Sequence, residues 1–279
     1  MKIARALFIA AYRIPHACLS LQFDHYIKAI DQTYIFTNCD IDWLDKILKK
    51  YVNTDNFIYV HDKEMDTKYP TIRPNWFVNN DYRGSWLYQQ ALKLASVDYI
   101  DADCVLIQDP DTFSIVPYNC YENSKLKYFI LPNTTHSYGY YKVLDCLGIK
   151  RQTPHCFVTE FTPMLKEDWL SMKYQLTNLN RCDPFDAIIN SVPVEPLDGL
   201  KWFSEYEFIG NWAMSRREIT MVEQRRFQYK NLDELDNLTK DYNCVCDAIP
   251  NLNNSLLLDS ETETVIGFDS ILNKVKKFL

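Results

Sequence analysis

Tyr99-Ile100-Asp101-Ala102-Asp103-Cys104-Val105-Leu106-Ile107 is the stretch on which the fold turns. It has the apolar character of a buried strand, broken by two carboxylates. Side chains at i and i+2 of a strand point to the same side, so Asp101 and Asp103 are expected to face one spot. Two hard oxygen donors at the mouth of a buried strand suit Mg²⁺ or Mn²⁺. Such an ion commonly holds the diphosphate of a nucleotide. An acidic turn is the plainer alternative, and the flanking segments bear on the choice.

Before the pair, strand and helix patterns alternate. Ile3 to Ala11 is a first strand. Leu19, Phe23, Tyr26, Ile27 and Ile30 recur at helical spacing. Tyr34–Thr37 is a second strand, and Asp40 can cap a helix whose inner face is Trp43, Leu44, Ile47, Leu48 and Tyr51. Asn56–Val60 is a third strand. This βαβαβ rhythm predicts an α/β fold with a mainly parallel sheet flanked by helices. Residues 61–82, with Pro70, Pro74 and Trp76, break the rhythm as a long loop.

Arg83–Ala95 follows as a helix. Trp86, Gln89, Gln90 and Lys93 share one of its sides. After the carboxylate pair, Gln108-Asp109-Pro110-Asp111 turns the chain. Tyr128–Leu131 and Cys156–Thr159 are further strands. Tyr138–Leu147, Lys166–Leu176 and Pro184–Ser191 are helical patterns. Ser204 can cap a last helix, with Glu207 at the capping-box position. Residues 1–230 read as one domain and 231–279 as a C-terminal extension packed on it, closed by a short helix within 265–279.

Composition narrows the function classes. The chain has 279 residues, 47% hydrophobic and 24% charged, enough for a packed core. Only 6 glycines argue against a glycine-rich phosphate loop. A net charge of −7 disfavours a generally basic nucleic-acid binder. Nine cysteines at irregular spacings read as reduced thiols. No run approaches the ~18 apolar residues of a membrane span. Arg216, Arg217, Arg225 and Arg226 are either a solvated face or a phosphate-binding one.

Three motifs in order carry a resemblance. Arg83-Gly84-Ser85-Trp86-Leu87-Tyr88-Gln89-Gln90-Ala91-Leu92-Lys93-Leu94 is similar to a "GWYxQQxxKL" signature. Asp101-Ala102-Asp103 is similar to its "DSD" partner, and Ser204–Gly210 to "SEYELYG". Together they resemble a family of bacterial and phage glycosyltransferases of the GT-A (Rossmann-like) type. The family's "HHM" stretch has no histidine here. Its counterpart is Thr159–Met164, and Glu160 or nearby His155 are the candidates for its role.

The resemblance implies transfer of a sugar from a nucleotide-diphosphate donor, expected to be a UDP-sugar, to an acceptor hydroxyl, with Mn²⁺ or Mg²⁺ as cofactor. Asp103 is then expected to contact the metal, with Asp101 on the metal or the donor. Arg83, Gly84, Trp86, Gln89, Gln90 and Lys93 would hold the donor, and Ala11, Tyr12 and Arg13 would border its base. Glu205, then Glu207, then Asp186 are candidates for the base an inverting reaction needs. The acceptor is either a glycan or hydroxymethylated cytosine in phage DNA. The expected compartment is the cytoplasm, the host's if the enzyme is phage-encoded. Two other readings remain: a haloacid-dehalogenase-like phosphatase using Asp101 and Asp103, and an inactive binding module.

Overall fold

A computed structural model describes residues 1–69, 72, 83–134, 138–192, 203–247, 256–259, 261–277 and 279. Along the chain run β1 (Ile3–Ile9), α1 (Ile14–Leu21), β2 (Gln32–Thr37), α2 (Ile41–Leu48), β3 (Phe57–His61), α3 (Asp62–Lys68), α4 (Arg83–Ser96), β4 (Cys104–Gln108), β5 (Thr112–Ser114), β6 (Tyr121–Glu122) and β7 (Lys125–Ile130). They are followed by α5 (Tyr138–Cys146), β8 (Phe161–Leu165), α6 (Lys166–Asn180), α7 (Pro184–Asn190), α8 (Glu205–Arg216), β9 (Thr220–Glu223), β10 (Arg226–Tyr229), β11 (Cys244–Asp247), β12 (Leu257–Asp259), β13 (Thr264–Ile266) and α9 (Phe268–Lys276).

The main sheet has the order β3-β2-β1-β4-β8. β2 and β3 are parallel, with Thr33 opposite Phe57 and Thr37 opposite His61. At the exits of β1 and β2, Thr37 Oγ1 donates to the Ile9 carbonyl at 2.7 Å. At the other end, Cys104 N donates to the Lys2 carbonyl, so β1 and β4 start together. Lys166 N donates to the Asp103 carbonyl at 2.9 Å. β8 therefore finishes where β4 begins, and runs against it. The sheet is mixed and mainly parallel, as the strand–helix alternation predicts.

Two compact units divide the chain. One comprises Leu7–His61, Gln108–Asn119 and Gln224–Leu279. Its core joins Leu7 and Ile9 of β1, Ile14 and Leu21 of α1, and Leu44 and Ile47 of α2. Phe268, Ile271, Leu272 and Val275 of α9 pack into the same cluster, so the end of the chain helps build this core. Phe23 stacks on Phe113 with ring centres 4.4 Å apart. β5, β11 and β10 form a small sheet of their own in this unit.

The other unit comprises Met1–Ala6, Asp62–Ile107 and Cys120–Glu223. β6, β7 and β9 form a three-stranded sheet here. Two local expectations need correction. Residues 62–68 are helical, where the sequence reads as loop; Tyr69 and Ile72 apart, the rest of that loop up to residue 82, with Trp76, lies outside the described residues. The strand expected over Cys156–Thr159 instead runs over Phe161–Leu165. Cys156 makes only an isolated bridge to Leu131, and Glu160 has a left-handed φ of 58°, which breaks an extended run there.

Asp98 ties this unit together. It accepts hydrogen bonds from Trp169 Nε1 at 2.8 Å, from Lys173 Nζ at 2.7 Å and from the Tyr69 hydroxyl. Burial alone would raise its pKa, but these donors outweigh burial and hold it below the usual value. A group with a depressed folded pKa adds stability above its unfolded pKa, near 4, and loses it as pH falls through the folded one. Asp98→Ala should therefore destabilise the protein by about 3 kcal/mol at neutral pH in denaturant titration. The gap from wild type should narrow below pH ~4.

Candidate functional site

The Asp101–Asp103 pair lies at the start of β4, because the strand begins only at Cys104. The sequence reading puts it at a strand's mouth. In the structure Asp103 Oδ2 accepts from the Lys2 backbone N at 2.8 Å, and Asp101 Oδ2 accepts from Lys2 Nζ at 2.9 Å. The Asp101 side chain is 91% exposed, and the Lys2 ammonium holds its carboxyl below the usual range. Asp101 and Asp103 thus close the amino-terminal ends of β1 and β4. In open α/β sheets, ligands bind at the carboxyl ends of the strands.

At the carboxyl end of β4 stands a second pair with the same spacing, Asp109-Pro110-Asp111. The five residues of β4 are all buried, and the chain turns directly after them. Gln108 Nε2 donates to the Thr112 carbonyl at 2.8 Å and closes that turn. Asp111 is ion-paired with Arg13, from the turn Ala11–Arg13 that follows β1. The two side chains are 17% and 10% exposed.

Burial pushes the Asp111 carboxyl up. The Arg13 guanidinium pulls it down, and Asp109 pushes it up again. Burial acts to lower the Arg13 pKa, but Asp111 and Asp109 more than offset it and hold it above its ordinary value. His16 likewise pulls the Asp111 carboxyl down. Beside Arg13, Tyr12 is 54% exposed, with Arg13 Cζ 5.4 Å from its ring centre. Ala11 is exposed as well.

Among the described residues, no group of three or more His, Cys, Asp or Glu side chains forms a ready metal cage. The Asp109–Asp111 turn fits a divalent cation of the Mg²⁺ or Mn²⁺ class in another way. Such ions are held by one or two carboxylates, with substrate phosphates and water completing the shell. The donor set, two carboxylates on one turn, is right. The signal was present in the sequence, since Cys104–Ile107 is an apolar run leading straight into Asp109-Pro110-Asp111. Pro110 makes that segment read as a plain turn.

The helix motif and the glutamates build a different place. Gln90 and Lys93 are buried in α4, while Trp86 and Gln89 are half-buried. Trp86 stacks on Tyr140 at 6.3 Å. Arg83 and Gly84 open α4, but their side chains lie outside the described residues. Lys93 Nζ donates to Glu205 Oε1 at 2.6 Å and to the Tyr206 hydroxyl at 3.1 Å. The Lys93 and Glu205 side chains are 2% and 0% exposed.

Glu207 is equally enclosed. It accepts from Phe157 N at 3.1 Å, Asn211 Nδ2 at 3.0 Å and the Tyr141 hydroxyl at 3.3 Å. Burial raises its pKa, and these hydrogen bonds, with one from Cys156, oppose the rise. Ser204 caps α8 through Glu207 N, as the sequence predicts. Gly210 completes the motif for a packing reason: a Cβ there would lie 2.3 Å from Phe157 Cγ.

The remaining candidates are scattered. Asp186 is half-buried on α7, its pKa raised by burial and by Asp183. Arg217 binds Glu167 at 2.9 Å and Asp168 at 2.5 Å. Arg216 lies 3.8 Å from Asp168 and over the Trp212 ring. Arg225 is exposed before β10, and Arg226 is half-buried in it. His155 Nδ1 accepts from Asn133 N at 3.1 Å.

Lys93→Met leaves the Glu205 carboxylate enclosed without its cation, and should cost about 3–5 kcal/mol of stability in denaturant titration. Adding Glu205→Leu should recover part of that loss, because the pair is then removed together.

No family model matches the sequence, and no curated protein matches it. Solved structures do. The galactosyltransferase LgtC, in complex with donor and acceptor sugar analogs, aligns with a TM-score of 0.53 and 10% identity, over 100% of this chain and 96% of that one. An active-site mutant of LgtC aligns with a TM-score of 0.52 and 11% identity, over 99% of this chain and 96% of that one. No helix among the described residues is long and apolar enough to cross a membrane. The chain has the mixed α/β fold of the GT-A glycosyltransferases, with a mainly parallel sheet flanked by helices.

Proposed function

We propose that this protein is a glycosyltransferase that moves a sugar from a nucleotide-diphosphate donor to an acceptor hydroxyl, with Asp109 and Asp111 as its cation-binding pair. One observation carries the reading. A two-carboxylate turn sits at the carboxyl end of a buried strand, with its Asp111 held by Arg13 from the exit of β1. Mn²⁺ or Mg²⁺ bound there would offset the charge that develops on a departing diphosphate. Asp109 and Asp111 supply its oxygens. Tyr12, exposed beside them, offers a ring face to the base, and a UDP-sugar is the donor class we favour. This assignment moves the cation away from Asp101 and Asp103, whose carboxylates belong to Lys2.

Glu205 and Glu207 serve as packing groups in this reading. A general base must come within hydrogen-bond reach of its proton, and both carboxylates are fully enclosed. The acceptor is more readily a neutral glycan than DNA. Arg216 and Arg217 are engaged by Glu167 and Asp168, and the chain carries a net charge of −7. Phosphate-rich partners need free cations. The phosphatase alternative finds less support, because its nucleophile would be Asp101, in open water and paired with Lys2.

The test is a screen of nucleotide sugars with MnCl₂ against glycan and hydroxymethylated DNA acceptors, read by product mass. Asp109→Asn and Asp111→Asn should each lower metal-dependent donor turnover by roughly a hundredfold or more. Asp101→Asn should leave it within about twofold of wild type, as for a surface substitution. The reverse pattern would return the cation to the earlier pair. No turnover with any donor would leave a binding module.

A further inference from the structure

We infer that Arg13 is an internal stand-in for the divalent cation: it holds Asp111 in the free protein and releases it only when cation and diphosphate arrive together. This rests on the reading of Asp109 and Asp111 as the cation-binding pair. Arg13 Nη1 is bonded to Asp111 Oδ2, and both side chains are largely buried. An ion that takes both carboxylates must take Asp111, and a guanidinium already occupies it. Two cations competing for one carboxylate repel each other, more strongly with little water around them. The metal alone therefore meets a ligand in use.

A diphosphate changes that balance. Its oxygens give the displaced guanidinium a new partner, and arginine matches phosphate geometry in a bidentate way. Arg13 has the capacity to accept it. Its Nε is buried with no hydrogen-bond partner among the described residues. Ala11 and Tyr12, the residues just before it, are exposed, so a ligand can reach this turn from solvent. Asp111 would then pass from Arg13 to the metal while Arg13 passes to the phosphates. Metal and nucleotide must consequently strengthen each other's binding, by the same factor in both directions.

Calorimetric titration of MnCl₂, with and without UDP, tests this on the full chain. In wild type, UDP should tighten Mn²⁺ binding about tenfold or more. Arg13→Gln should bind Mn²⁺ alone about fivefold or more tightly than wild type, and UDP should add little further. Arg13→Lys keeps a cation beside Asp111 but loses the planar fork, and should fall between the two. If Arg13→Gln does not fold, as judged by circular dichroism and thermal unfolding, Arg13→Lys decides alone.

Unchanged Mn²⁺ affinity in the folded Arg13 variants, with loss of binding in Asp111→Asn, would overturn the inference and leave the cation site standing. Unchanged Mn²⁺ binding in Asp109→Asn and Asp111→Asn would overturn both.

Discussion

A carboxylate taken out of water has to be matched. This chain meets that requirement repeatedly, and the way it does so separates scaffold from site. Asp98 is matched by an ammonium, a phenol and an indole N–H. Glu205 is matched by Lys93, which also reaches the Tyr206 hydroxyl. Glu207 has no cation among the described residues, but a backbone N–H, an amide and a phenol supply three hydrogen bonds. Partners of this number make a carboxylate a fixed part of the core. Asp111 differs, because a second carboxylate, Asp109, stands beside it and pushes its pKa up while Arg13 pulls it down. Two carboxylates set side by side repel each other, and a bound cation relieves that repulsion.

The sheet explains why that pair falls where it does. Backbone bonds from Asp103 and Cys104 to Lys2 tie the starts of β1 and β4 together. The exit of β1 is therefore carried toward the exit of β4, and Arg13 and Asp111 each lie just beyond those exits. A charge pair distant in sequence is thus set by strand register. At the opposite edge, the same register places Lys2 against Asp101 and Asp103. Both acidic pairs have a basic partner from the flanks of β1, but one pair lies in solvent and the other under cover. Exposure decides which can act, since an exposed ion pair contributes about 1 kcal/mol or less and does not hold a ligand site in shape.

The α/β architecture was legible in the sequence because apolar periodicity is a local signal. β2, β3, α2 and α6 to α9 fall where that signal puts them, and Asp40 and Ser204 cap the helices they precede. The site was less legible for a physical reason. Asp101-Ala102-Asp103 and Asp109-Pro110-Asp111 have the same spacing on either side of one apolar run. Whether a carboxylate pair opens or closes a strand depends on where that strand's ladder begins. Tyr99 and Ile100 have strand-like side chains, yet the ladder starts at Cys104. Nothing local to Tyr99–Ile107 distinguishes the two registers. What does distinguish them is Arg13, some hundred residues earlier, and no spacing rule links the two.

The motifs that suggested the family turn out to describe packing more than chemistry. The α4 motif contributes Lys93 and Gln90 to an enclosed face. The α8 motif contributes Glu205 to Lys93, Glu207 to the Phe157 backbone, and Gly210 to the space its ring needs. These residues are demanded by one another: a buried lysine needs a carboxylate, and a ring against a helix needs a glycine. Residues bound by mutual need of this kind serve packing, and nothing in that need refers to a substrate. Such a motif therefore reports the scaffold faithfully and the substrate hardly at all. In the reading proposed above, the chemistry instead falls to Asp109, Asp111 and Arg13, of which Arg13 and Asp111 meet just beyond the strand exits.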